Sequence, residues 1–137
     1  MPVDLRSMLA LALTSAGLAY LLTVLVIVAA LSQPSVTVIL VLRALVVTLV
    51  LAVIAPALVR RRLRALPARA VLPTLLVGAV VGYVLHPLSW IGRTYLGQLL
   101  LDPGLATTLV DLVVWVLVTV AACTWWIRRG TSAAVSR

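Results

Sequence analysis

Four stretches of this chain are long, apolar and almost free of charge, and no other feature limits its possible folds as much. They cover about residues 8–31, 36–59, 70–87 and 105–127. A helix rises 1.5 Å per residue, so roughly 20 apolar residues cross the hydrocarbon of a bilayer. Within 137 residues, 64% are hydrophobic and 10% charged. A soluble domain usually carries about 25% charged residues, and a small one cannot hide such an apolar excess in its core. The expected fold is therefore all-α and polytopic: four transmembrane helices in two hairpins, within a single transmembrane domain.

The first run competes with a secretory signal, because Arg6 precedes it and Ala29-Ala30 resembles a cleavage site. Signal cores span about 7–15 apolar residues, so a retained helix is the better reading. Ser32-Gln33-Pro34-Ser35 then makes a tight break. His86-Pro87 interrupts the third run, since proline lacks an amide hydrogen and biases its predecessor away from helix. Residues 88–101 are too few to cross. They place Leu88, Ile91, Tyr95 and Leu99 at helical spacing, with Trp90 and Tyr95 suited to a membrane boundary. A short interfacial helix, or a bent extension of the third helix, is expected there. Asp102-Pro103-Gly104 turns the chain into the fourth run.

Charge supplies a direction. The net charge is +8, carried by arginine without lysine. Five arginines, Arg60, Arg61, Arg62, Arg64 and Arg69, fall in a connecting segment expected over 60–69. With four crossings this segment shares a side with Arg6, Arg128, Arg129 and Arg137, while the opposite loops hold Arg93 alone. Positive residues collect on the cytoplasmic side, so both termini are expected there, with a polar tail over 128–137. The same rule accounts for the basic balance without nucleic acid. The five arginines are also candidate contacts for anionic lipids or a partner protein. A composition lacking lysine and phenylalanine and rich in Ala, Val, Leu and Arg suits a GC-rich bacterial genome, which points to a bacterial inner membrane.

Few residues are equipped for chemistry. Ionisable groups within a span are costly and are the first places to look. Arg43 and Asp111 each follow the start of a run that begins on the outer side, at a depth of about 10 Å. Equal depth and opposite sign suggest an ion pair joining the second helix to the fourth. The alternatives are that Arg43 snorkels to the headgroups while Asp111 meets interfacial water, or that both serve transport. His86, the single histidine, is a weak candidate for a haem or pigment ligand; a boundary histidine without special role is the simpler reading. Asp111 and Trp115 share a helix face, and Thr108 and Ala122 are expected to extend that stripe toward other protein. Gly78 and Gly82 form a GxxxG spacing for close helix packing, and Ala12 and Ala16 are a second small pair. Cys123 is alone, so no disulfide or cysteine metal site arises. There is no phosphate-binding glycine loop and no nucleophile constellation, so no catalytic residue, cofactor or metal is expected.

The favoured function is a non-catalytic membrane subunit, or an assembly and stabilising factor, of a larger bacterial membrane complex. Other membrane subunits are then its partners, a hetero-complex being favoured over a homo-oligomer. The alternatives are a small homo-oligomeric transporter or channel using Arg43, His86 and Asp111, and a holin-like permeabilising protein.

Overall fold

The computed structural model describes residues 2–29, 36–86 and 105–135, and the elements are all helical among these. The expected break at 32–35, the interfacial segment 88–101 and the turn at 102–104 lie outside the described residues. In chain order the helices are α1 (Leu5–Ala29), α2 (Val36–Leu49), α3 (Ala55–Arg64), α4 (Ala68–Leu85) and α5 (Leu105–Val135). A π-helical turn, Val50–Ile54, joins α2 to α3 in one continuous rod. Four helical stretches are long and apolar enough to cross a membrane: Leu5–Val26, Val41–Arg64, Ala68–Leu85 and Leu109–Gly130.

The start of α1 follows from its first four residues. The Asp4 carboxylate accepts the Ser7 backbone N–H at 2.9 Å and also the Ser7 hydroxyl. An acceptor just before a helix satisfies an amide that the helix itself leaves open. The Asp4 N–H donates to Thr74 Oγ1 at 3.2 Å, which ties this cap to α4. The Ser7 hydrogen bonds hold the Asp4 carboxyl below its ordinary value of 3.8. Its contribution to stability is thus full above the ordinary carboxylate range and is lost as pH falls through the lowered value. Replacing Asp4 with alanine is expected to lower the thermal midpoint at pH 7 and to flatten its decline below pH 4. Parallel acid profiles for the two proteins would contradict this.

The segment expected as a loop over 60–69 is mostly helix. α3 runs to Arg64 because arginine is a good helix former and nothing breaks the backbone before Pro67. Ala65, Leu66 and Pro67 make the turn: the Ala65 and Leu66 amides donate to Arg62 and Leu63, and Pro67, extended at φ −62 and ψ 144, opens α4. The polar tail expected from 128 is helical as far as Val135, since no proline follows Gly130.

The largest packing contact joins α1 to α4. Asp4 meets Thr74, Leu11 meets Gly78 and Ala12 meets Gly82, so the two helices run parallel. A hypothetical β-carbon at Gly82 would sit 3.3 Å from Ala12 Cα, which shows how closely the backbones approach. Two apolar clusters stack along the bundle. Leu11, Val59, Leu63, Leu75 and Cys123 lie toward the α3–α4 turn. Ala19, Val50, Leu51, Ala55, Ala79, Tyr83 and Trp115 lie toward the far end. Two buried hydroxyls are satisfied within their own helices: Thr23 donates to Ala19 O and Thr119 to Trp115 O. The buried Ser15 hydroxyl has no hydrogen-bond partner among the described residues.

The π turn has a local cause and a remote partner. Pro56 has no N–H for the carbonyl four residues back, which belongs to Ala52. The indole Nε1 of Trp126 donates to that carbonyl at 3.0 Å, linking the rod to α5. Trp126→Phe keeps an aromatic side chain, though a smaller one, but removes the N–H and strands the acceptor, at a cost of about 1–3 kcal/mol. We expect a lower thermal midpoint in detergent; a midpoint equal to that of the parent protein would show that the carbonyl has another donor.

Candidate functional site

At the end of the bundle far from the arginine turn, three elements deliver polar side chains to one place. α2 supplies Arg43, the end of α4 supplies Tyr83 and His86, and α5 supplies Asp111 and Trp115. Arg43 Nη2 and Asp111 Oδ2 lie 3.6 Å apart, an ion pair rather than a hydrogen bond. The Tyr83 hydroxyl donates to the same Asp111 Oδ2 at 3.0 Å. The side chain of Arg43 is 14% exposed and that of Asp111 40%. Arg43 is thus largely buried within the bundle. Its Nε is buried with no hydrogen-bond partner among the described residues.

The aromatic floor of this cluster is Trp115, 3% exposed. Tyr83 meets it edge-on with ring centroids 5.7 Å apart, and His86 does the same at 5.2 Å. His86 is fully buried at the C-terminal end of α4, where its own amide donates to Tyr83 O. A phenol donor, a carboxylate and a guanidinium in sequence form a neutralised charge pair, which is how an ionic group is accommodated in apolar surroundings. The arrangement connects α2, α4 and α5 near one end. Among the described residues, no group of three His, Cys, Asp or Glu side chains could hold a metal ion.

The other singled-out residues fall elsewhere. Gly78 and Gly82 line the α1–α4 contact, with Ala12 and Ala16 buried on the facing stripe. Arg60, Arg61, Arg62 and Arg64 belong to α3 and Arg69 to α4, at the opposite end from Arg43. On α5 the expected stripe drifts. Trp115, Thr119 and Cys123 are buried at four-residue intervals, whereas Ala122 is only half-buried and the side chain of Thr108 is not described. Tyr83 was missed as a partner of Asp111. The available signal was its position three residues before His86, which places both on one face of α4.

No family model matches this chain, and no curated protein and no solved structure shows significant similarity to it.

Proposed function

We propose that this chain is a non-catalytic integral membrane subunit, or an assembly and stabilising factor, of a larger membrane complex. The reading rests on one observation: Asp111 engages both Arg43 and Tyr83 and so joins three helices. Separating such a pair would leave a charge uncompensated in apolar surroundings, which favours keeping the three helices together. The outward faces of the spans are rows of large apolar residues, among them Leu45 and Leu49 on α2 and Val113, Val114 and Leu117 on α5. Such faces suit lipid and neighbouring transmembrane helices. The host membrane in this reading is a bacterial plasma membrane. Both termini face the cytoplasm, and the arginine-rich end meets anionic lipids.

Gentle purification at native expression level tests the assignment. A subunit brings fixed heterologous companions, identified by mass. A homogeneous oligomer that moves a solute in liposomes overturns it in favour of a small transporter. The 40% exposure of the Asp111 side chain supports that second reading, since a transport carboxylate must be reachable. Growth arrest on expression would point instead to membrane permeabilisation. For orientation, a cysteine at Ser35 is expected to react with an impermeant thiol reagent added outside, and one at Ser132 is expected to be protected. The opposite pattern would invert the topology.

A further inference from the structure

The arginines at the α3–α4 end are organised around two indoles of α5. The Arg60 guanidinium carbon lies 5.9 Å from the Trp126 ring centroid, and that of Arg129 lies 4.9 Å from the Trp125 centroid. The indoles meet edge-on at 5.5 Å. Arg64 reaches across α5 and donates Nη2 to the Trp126 carbonyl at 3.3 Å. It crosses where Gly130 has no side chain; a β-carbon there would overlap the guanidinium. α3 and α5 therefore bring two cations onto one aromatic pair, Arg60 from α3 and Arg129 from α5 itself, and a third, Arg64, onto the backbone beside it. Among the described residues none of the three is in an ion pair with a carboxylate, and the nearby acid, Asp4, is engaged by Ser7.

A guanidinium stacked on a ring keeps its in-plane N–H donors, and that fork matches phosphate oxygens. The tryptophans lie at the end of an apolar span, the level at which indoles meet headgroups. We propose that Arg60 and Arg129, over the Trp126 and Trp125 rings, together with Arg64, held on the Trp126 carbonyl, form a site for the phosphate of an anionic phospholipid between α3 and α5. This deepens the membrane-subunit reading by naming a lipid. It rests on the chain's place in a bilayer and not on any protein companion.

The test uses the full chain in mild-detergent micelles, where orientation plays no part, titrated with phosphatidylglycerol or phosphatidylcholine. Bound lipid is read by native mass spectrometry. Phosphatidylglycerol is expected to be retained and phosphatidylcholine lost. Exchanging Arg60, Arg64 and Arg129 for glutamine is expected to weaken retention by at least about tenfold. Exchanging Arg61, Arg62 and Arg69 removes the same charge and is expected to change it less than about threefold. Gly130→Val leaves the charge intact but displaces Arg64, and is expected to weaken retention too. Equal losses in the two triple variants would reduce the site to diffuse attraction and overturn it. Unchanged retention in the first, equal retention of phosphatidylcholine, or full displacement by inorganic phosphate would do the same. If the first triple variant fails to fold, Arg129→Gln, at an exposed position, decides by the same criterion: reduced retention supports the site and unchanged retention overturns it.

Discussion

Replacing Gly82 with leucine is expected to separate α1 from α4 and to remove most of the bundle's thermal stability. The reason is the identity of the atoms in the way. A β-carbon at Gly82 would lie 3.3 Å from Ala12 Cα and 3.4 Å from Ala12 O, both backbone atoms that cannot turn aside. The rest of a leucine would have to enter the α1 backbone itself, so the helices must move apart. Overpacking typically costs about 1–3 kcal/mol, and more where rigid backbone blocks relief. Net folding stability is only about 5–15 kcal/mol. At Gly78 the tightest neighbour is a side-chain end rather than backbone: a β-carbon would meet Leu11 Cδ2 at 3.1 Å, with the Met8 carbonyl oxygen next at 3.4 Å. Gly17 has nothing within 4 Å. The three positions therefore predict an order. Gly82→Leu loses most, Gly78→Ala loses little, and Gly17→Ala is neutral or gains up to about 1 kcal/mol from helix propensity. Thermal unfolding of the three variants in one detergent measures this order. Equal midpoints for Gly82→Leu and Gly17→Ala would mean that the α1–α4 contact does not hold the fold.

That contact also shows which parts of the structure were legible in the sequence. Apolar length marks the spans, because crossing a bilayer sets a minimum run that few other folds need. The glycine spacing at 78 and 82 marks a face where another backbone approaches, and Ala12 and Ala16 mark a second such face. Nothing local says that the two faces meet, since small residues permit contact without selecting a partner. The fuller α1 stripe, which includes the buried Ser7 and Ser15, was hidden because serine also reads as a polar helix end. Helix ends were misplaced where charge was taken for loop: the arginines of α3 and the tail of α5 are helical, as their backbone preferences allow. The π turn was illegible for a different reason. Pro56 announces a lost hydrogen bond, but the group that takes up the freed carbonyl is Trp126, seventy residues away. At the polar cluster, depth and sign brought Arg43 and Asp111 to notice together. The phenol of Tyr83 did not stand out, because a tyrosine inside a span reads equally well as packing.

Asp111→Ala is expected to cost more than any other single exchange at this cluster. It removes the acceptor of the Tyr83 hydroxyl and the counter-charge of Arg43 in one step. The arginine left behind is largely buried, and its Nε already has no hydrogen-bond partner among the described residues. An unpaired charge at the centre of a span costs about 2.5–3.5 kcal/mol, and somewhat less at a position nearer one end. Asp111→Asn keeps an acceptor for Tyr83 but not the charge, so it is expected to fall between Asp111→Ala and Tyr83→Phe. The last removes a single hydrogen bond, at about 1 kcal/mol. Arg43→Ala leaves Asp111 with Tyr83 and with its 40% exposure, a smaller penalty than the reverse deletion. The decisive measurement is the double variant. If the two charges interact, losing both relieves the uncompensated arginine. Arg43→Ala/Asp111→Ala is then more stable than the sum of its parts by at least about 1 kcal/mol. Strict additivity would mean that the 3.6 Å separation carries no interaction energy. The cluster would then be two independent polar residues at the same depth, and the case for three helices kept together by this pair would lose its main support.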